Sequence, residues 1–311
     1  MNWEQLAIAV VGGDEREREI ARLAAETGAD VRAYGFPWPD DGIDGVVQAL
    51  SVEGALTDAN YALFPIPGLG PDGRLYAPAE SSPIVPDERL LQLLAPGAHV
   101  ILGTADDQLR RAAERTGVEL VEYESDRELM LLRGPAIVEG ALAVAIEHTD
   151  VTIHSSSVGV VGHGTIGSLL ARTLRALGAV VHVFARNPVQ RADASAAGAH
   201  THALDELPNV APSLAMLFST VPASVVDEGT LERLPRRALV VDLAAPPGGV
   251  DLEAARRIGR KAVWARGLGK RAPVTVGASQ WEGIRTRIEA IEERRSDEAG
   301  ARDPESAGRH P

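Results

Sequence analysis

One stretch constrains this chain more than any other. Val158-Gly159-Val160-Val161 is an apolar run that ends at Gly162-His163-Gly164-Thr165-Ile166-Gly167, and Ile166, Leu169, Leu170 and Leu177 then recur on one side of a helix. A Gly-x-Gly-x-x-Gly spacing alone is a weak signal, but between a buried strand and an amphipathic helix it has the context the motif requires. The first glycine allows a tight turn, the second lets a pyrophosphate approach the backbone, and the third lets the helix pack closely on the strand. The helix N-terminus then offers unpaired N–H groups and partial positive charge to the phosphates. Gly162, His163, Gly164, Thr165, Ile166 and Gly167 are therefore the expected cradle of a dinucleotide. The plain alternative is a glycine turn that binds nothing.

A second strand, Val180 to Phe184, ends in Ala185-Arg186-Asn187. NAD-binding domains place Asp or Glu near this point to hold the ribose hydroxyls. Here Arg186 stands there, with Asn187 beside it and Arg191 nearby. A guanidinium suits a 2′-phosphate, so NADP is expected over NAD, with NAD still possible. Ligands in such sheets lie beyond the carboxyl ends of strands. That adds Thr220, Val221 and Pro222 after one later strand, and Leu243 and Ala244 after the next.

The rest of the chain repeats the same style. Leu6 to Val11 runs into Gly12-Gly13-Asp14, and a helix carries Ile20, Leu23 and Ala24 on one face. Short apolar runs at Val31 to Tyr34, Tyr61 to Pro65, His99 to Leu102 and Glu119 to Glu122 read as buried parallel strands. Further strands are expected near Leu214 to Phe218, Leu239 to Leu243 and Ala262 to Trp264. Pro65 to Gly73, dense in Pro and Gly, reads as a loop, either a binding loop or a surface excursion. A helix opening at Pro135 and running to His148 is expected to link two domains. The fold class is thus α/β, two Rossmann-like doubly wound parallel-sheet domains joined by a long helix. The domains are expected at 1–150 and 151–293, with a cleft between them. The last helix carries a stripe of Trp281, Ile284, Ile288 and Ile291 that needs a partner surface. Residues 294–311 turn polar and are expected to be a disordered tail.

Composition excludes several classes. The chain of 311 residues has no cysteine, which removes thiolate nucleophiles and disulfides, and its formal charge of −13 disfavours nucleic acid as a general partner. No secretory pattern opens the sequence, and the longest apolar candidate, Gly140 to Ile146, is too short to span a membrane. A cytoplasmic protein, a homo-oligomer with no membrane or nucleic-acid partner, is expected. His200-x-His202 lacks a third ligand in the sequence, so no metal site is expected and the pair reads as loop.

From Ile8 to about Ile291 the chain resembles the family of the dipicolinate synthase A subunit. The resemblance lies in Ile8-Ala9-Val10-Val11-Gly12-Gly13-Asp14 with Arg16, in Val138-Glu139-Gly140, and in Ala145-Ile146-Glu147-His148-Thr149-Asp150 with Thr152-Ile153-His154. It continues in Asp242-Leu243-Ala244 with Pro247-Gly248-Gly249 and Asp251. It implies oxidation of a dihydrodipicolinate-type ring to dipicolinate, the calcium-binding acid of endospores, with NADP as acceptor. It also implies a partner, a flavoprotein-like B subunit. Two stretches depart from the family pattern. Arg133-Gly134-Pro135-Ala136-Ile137-Val138 lacks an Asn and a Thr, and Gly267-Leu268-Gly269-Lys270-Arg271-Ala272-Pro273 is one residue shorter.

Aromatising a ring needs a general base near the nicotinamide. His148 and Glu139 on the linking helix are the candidates, against the plain reading of His148 as a C-terminal helix residue satisfying carbonyls. A small dicarboxylate substrate needs cations, and Arg16, Lys270 and Arg271 are the candidates, each against a solvated surface charge. The substrate is expected near Pro65 to Gly70, the start of the linking helix and Gly267 to Pro273. Two other readings stay open. One is an NAD(P)-dependent dehydrogenase of another small hydroxy or amino acid. The other is a non-catalytic, NADP-binding regulatory protein.

Overall fold

The structure is a computed structural model that describes residues 1–302 except Pro67 and Pro71. It divides into two compact units. The first comprises Met1–Leu129 and the described segment from Pro273, and the second comprises Met130–Ala272.

The first unit holds a six-stranded sheet of β1 (Ala7–Val11), β2 (Asp30–Tyr34), β3 (Val46–Gln48), β4 (Tyr61–Leu63), β5 (His99–Leu102) and β6 (Glu119–Glu122). The order is β3-β2-β1-β4-β5-β6, all parallel. Helices α1 (Glu15–Ala25), α2 (Val52–Leu56), α3 (Glu88–Leu91) and α4 (Asp107–Thr116) connect the strands. Alternate residues feed two cores. Ile8 and Val10 face one, Ala9 and Val11 the other, which is why these strands read as continuous apolar runs.

Helix α5 (Arg127–His148) leads into the second unit. Its sheet contains β7 (Ser157–Val161), β8 (Val180–Phe184), β9 (His200–His202), β10 (Met216–Ser219), β11 (Leu239–Asp242) and β12 (Lys261–Trp264). Its order, β12-β11-β10-β7-β8-β9, repeats the topology of the first sheet. Helices α6 (Thr165–Ala176), α7 (Pro188–Ala196), α8 (Leu207–Val210), α9 (Glu228–Arg233) and α10 (Leu252–Arg257) belong here, and α11 (Pro273–Arg302) closes the described chain.

Four expectations need correction. The units do not divide at residue 150, because α5 already leaves the first core after Leu129 and supplies Val138, Ala141 and Ala145 to the second. The helix does not open at Pro135. Asp126 starts it two turns earlier, accepting the N–H groups of Glu128 at 2.8 Å and Leu129 at 3.3 Å, and Pro135 lies inside. The full 22 residues are long and apolar enough to cross a membrane by length and composition. Three of its apolar residues nevertheless fill the core of the second unit. Finally, residues 294–302 are helix rather than disordered tail. Once the buried stripe has formed the helix, each added residue gains a bond cheaply, and Glu292 pairs with Arg295 at 2.7 Å. The remainder of the expected tail lies outside the described residues.

The stripe finds its partner in the first unit. Trp281, Ile284, Ile288 and Ile291 are buried with Ile20, Ala21 and Ala24 of α1. Small residues allow the close approach: a Cβ at Gly277 would sit 2.6 Å from the Arg16 carbonyl oxygen. Ile288, with no exposed surface, fills the centre of this contact. Ile288→Ala should lower the stability of the first unit by about 2–5 kcal/mol, read from amide-exchange protection of β1. Unchanged protection would contradict the packing.

The expected His200-x-His202 loop is instead the edge strand β9, too short and polar to announce itself. Its register on β8 brings in a third histidine. His182 Nδ1 lies 3.0 Å from His202 Nε2, and the His182 ring stacks on His200 with centroids 5.0 Å apart. Burial first, then the neighbouring imidazoles, hold His182 below its ordinary pKa. Burial likewise lowers His202, against the opposing pull of Glu206. Both rings take up protons more readily when unfolded, so their contribution is complete above the unfolded value of about 6.5 and is lost as pH falls below it. Amide protection factors at β9, with the intrinsic pH dependence of exchange divided out, should therefore fall between pH 7 and 5, and His182→Gln should flatten that dependence. An equal pH response in both proteins would remove the histidines as its cause.

Candidate functional site

The glycine turn sits between β7 and α6 at the point where strand order reverses. Gly162 adopts φ 93°, and a Cβ there would lie 2.5 Å from Thr220 Oγ1. At Gly167 a Cβ would meet the Gly162 carbonyl oxygen at 2.3 Å. Gly164 differs, since nothing lies within 4 Å of its absent Cβ. It is the N-cap of α6 and supplies no side-chain cap. The first-turn N–H groups of a 12-residue helix therefore face open space.

That space belongs to a cleft of about 780 Å³. All six residues from Gly162 to Gly167 line it, together with Arg186, Asn187, Thr220, Val221 and Pro222. Met130, Phe184, Ala185, Gln190 and Leu204 complete the wall, and no motif marked these. Their apolar and amide side chains carry no sequence signature, although Phe184 and Ala185 flank a strand end that was legible. Asn187 accepts the Val189 N–H at 2.8 Å and so caps α7. Arg186 is exposed on the rim, and Arg191 Nη1 donates to the carbonyls of Ala185 and Arg186, each at 2.8 Å. His163 Nε2 lies 2.9 Å from Asp193 Oδ2 on α7.

Leu243 and Ala244, expected at the cofactor, do not line the cleft. Asp242 explains why. Its buried carboxylate accepts the N–H groups of Ala244 at 3.1 Å, Gly249 at 2.7 Å and Val250 at 3.2 Å, curling the loop over itself. The Ala244 carbonyl also accepts from Trp264 Nε1 at 3.0 Å.

The substrate candidates separate. Glu139 and Arg271 form an exposed ion pair in the second unit, with Lys270 adjacent and also exposed. His148 places Nδ1 3.1 Å from the Val144 carbonyl one turn back, the plain helix-terminal arrangement. Arg16 is neither a surface charge nor an open cation. It is buried and forked onto Asp14, at 2.7 Å through Nε and 2.9 Å through Nη2. Among the described residues no group of three His, Asp or Glu could hold a metal ion.

The first unit keeps the topology of this turn but only the first of its three motif glycines, with Asp14 and Glu17 at the other two positions. Gly12 donates to the Tyr34 carbonyl at 2.8 Å, as Gly162 does to Phe184 at 2.9 Å. The position matching Gly167 is Glu17. Its carboxylate accepts the Asp14 N–H at 2.7 Å and the Ile66 N–H at 3.2 Å. Burial pushes this acid above its ordinary pKa, against the nearby Arg16 charge. Asp14 further caps α1 with its own side chain. Carboxylates of the chain itself thus occupy the start of α1, where Asp14 accepts the first-turn Arg16 N–H at 3.2 Å and Glu17 accepts the Asp14 N–H.

Comparison with known proteins matches the two parts of the chain to different domain families. Residues 7–124 match the N-terminal domain of the dipicolinate synthase A subunit. Residues 139–246 match the NAD-binding domain of D-isomer specific 2-hydroxyacid dehydrogenases. The chain is 32% identical to the dipicolinate synthase A subunit of Bacillus subtilis over 273 residues, 88% of this chain and 92% of that one. The crystal structure of the Bacillus halodurans A subunit superposes with TM-score 0.84 at 28% identity, covering 93% of this chain and 99% of that one. The Bacillus subtilis structure gives 0.83 at 30% identity, covering 93% and 97%. A transhydrogenase from Sinorhizobium meliloti shares the fold, with TM-score 0.67 at 17% identity over 91% of this chain and 94% of that one.

Proposed function

The chain belongs to the family of the dipicolinate synthase A subunit and is an NAD(P)-dependent oxidoreductase, and from that premise we propose that it oxidises a dihydrodipicolinate-type ring to dipicolinate with NADP as hydride acceptor. The reading includes a flavoprotein-like B subunit as partner and a cytoplasmic setting, where soluble nicotinamide and small acids meet. The observation that carries it is the open N-terminus of α6 in a cleft of the right type, within a chain similar to its Bacillus relatives along almost its whole length.

The cleft residues fit a nicotinamide dinucleotide. Gly164 leaves room for a pyrophosphate against the α6 N–H groups, and Arg186 at the end of β8 suits the 2′-phosphate. When bound, the nicotinamide supplies the hydride acceptor. The chain must orient the ring, neutralise two carboxylates and accept one proton. The Glu139–Arg271 pair can serve the last two needs together. An exposed pair contributes only about 0–1 kcal/mol, so a substrate carboxylate displaces Glu139 from Arg271 at little cost. The freed Glu139 carboxylate then acts as general base, with Lys270 holding the second substrate carboxylate.

The match of residues 139–246 to 2-hydroxyacid dehydrogenases favours one second reading, a dehydrogenase of another small acid. Purified protein, the B subunit and NADP together should convert lysine-pathway intermediates to dipicolinate with matching formation of NADPH. NADPH formation from a 2-hydroxy acid, with no dipicolinate from pathway intermediates, would install the second reading. The cofactor assignment has its own test. Arg186→Ala should weaken NADP by about 1.5–3 kcal/mol, the worth of a charged hydrogen bond, and leave NAD nearly unchanged. Equal weakening of both dinucleotides in a binding titration would refute the role of Arg186.

A further inference from the structure

Arg186 is a long side chain on a rim, and a rim cation gains little unless its backbone is fixed. The structure holds that backbone from two directions through α7. Arg191 reaches back and donates from Nη1 to both the Ala185 and Arg186 carbonyls at 2.8 Å. Asp193, two residues on, points to the other side of the helix, since two residues turn through about 200°. There it meets His163 of the glycine turn at 2.9 Å. The His163 side chain is only 3% exposed, and its Nδ1 is buried without a hydrogen-bond partner. Among the described residues Asp193 alone orients that ring.

We propose that Arg191 and Asp193 are positioning residues for the 2′-phosphate: they clamp α7 between the β8 end and the glycine turn, and so set Arg186 where it discriminates NADP from NAD. The inference rests on the NADP reading above. Neither residue needs to touch the cofactor. Arg191 spends its guanidinium on backbone carbonyls, and Asp193 carries the wrong charge for a phosphate.

That wrong charge makes the proposal testable by sign. Through Coulomb attraction alone, removing an acid near a phosphate site strengthens phosphate binding. Through positioning, the same change weakens it. NADP and NAD affinities are measured by calorimetry for the full-length protein and for Arg186→Ala, Arg191→Ala, Asp193→Ala and Asp193→Asn. Asp193→Ala and Arg191→Ala should each lower the NADP-to-NAD affinity ratio about two- to tenfold, the equivalent of one hydrogen bond, with NAD affinity held. Asp193→Asn keeps an oxygen to accept from His163 and should restore most of the ratio. The salt dependence of NADP binding should be unchanged in Arg191→Ala, because no phosphate contact is lost. Asp193→Ala binding NADP as well as or better than the parent overturns the proposal, as does a reduced salt dependence in Arg191→Ala. If Arg186→Ala leaves the ratio unaltered, the NADP reading itself fails, and that result is separate from the other two.

Discussion

The cofactor site depends on the approach of α6 to the Gly162 carbonyl. A methyl group at position 167 would lie 2.3 Å from that oxygen, well inside van der Waals contact, so any side chain there displaces the helix. Only with the helix seated do its first N–H groups stand at the end of β7, where a pyrophosphate can use them. The first unit supports the point by contrast. It has the same strand order and the same positive-φ glycine after its first strand, but Glu17 stands in place of the third glycine. The buried Glu17 side chain accepts from Asp14 and Ile66, and Asp14 accepts the first-turn Arg16 N–H. The two units share an architecture and differ at the helix start, which acidic side chains fill in the first and which opens onto a cleft in the second.

This arrangement also shows how a chain of formal charge −13 can hold an anionic cofactor. Arg186 is the one Arg or Lys among the described lining residues, and the rest of the positive potential comes from the N-terminus of α6. Backbone dipoles act at short range, so they stabilise a phosphate without making the whole protein attractive to polyanions. A single cation then has to be well placed, which gives the contacts around α7 their weight.

Much of the fold was legible because buried parallel strands leave continuous apolar runs; Ala7–Val11, His99–Leu102 and Leu239–Asp242 fall where those runs place them. β3 and β9 escaped because each has three residues at a sheet edge, with exposed or polar side chains and no periodicity to detect. The start of α5 escaped because Pro135 is a stronger local signal than Asp126, although the Asp126 cap decides it. At the site, the glycine turn and Arg186 could be found by spacing. Leu243 and Ala244 could not be excluded, because only the folded loop reveals that Asp242 turns its carboxylate onto the backbone there. Arg16 misled for a similar reason, since a charged residue near a strand end reads as ligand-facing until Asp14 is seen to fork it.

The two departures from the family pattern look independent in the sequence, about 130 residues apart. In the fold the second meets Glu139 and Gly140, the family-like residues that follow the first. A Cβ at Gly140, just past the first departure, would lie 2.8 Å from the Leu268 Cβ and 3.1 Å from the Leu268 carbonyl, inside the second. The Glu139–Arg271 ion pair joins the same two segments one residue away from that contact. The loop at 267–273 packs on α5 where Gly140 carries no side chain, leaving room for Leu268. This contact lies within the second unit and brings Glu139 onto Arg271, with Lys270 next in sequence, the residues named above as candidates for a dicarboxylate. The contact and the glycine turn draw on different segments of the second unit, residues 139–140 and 268–271 against residues 162–167.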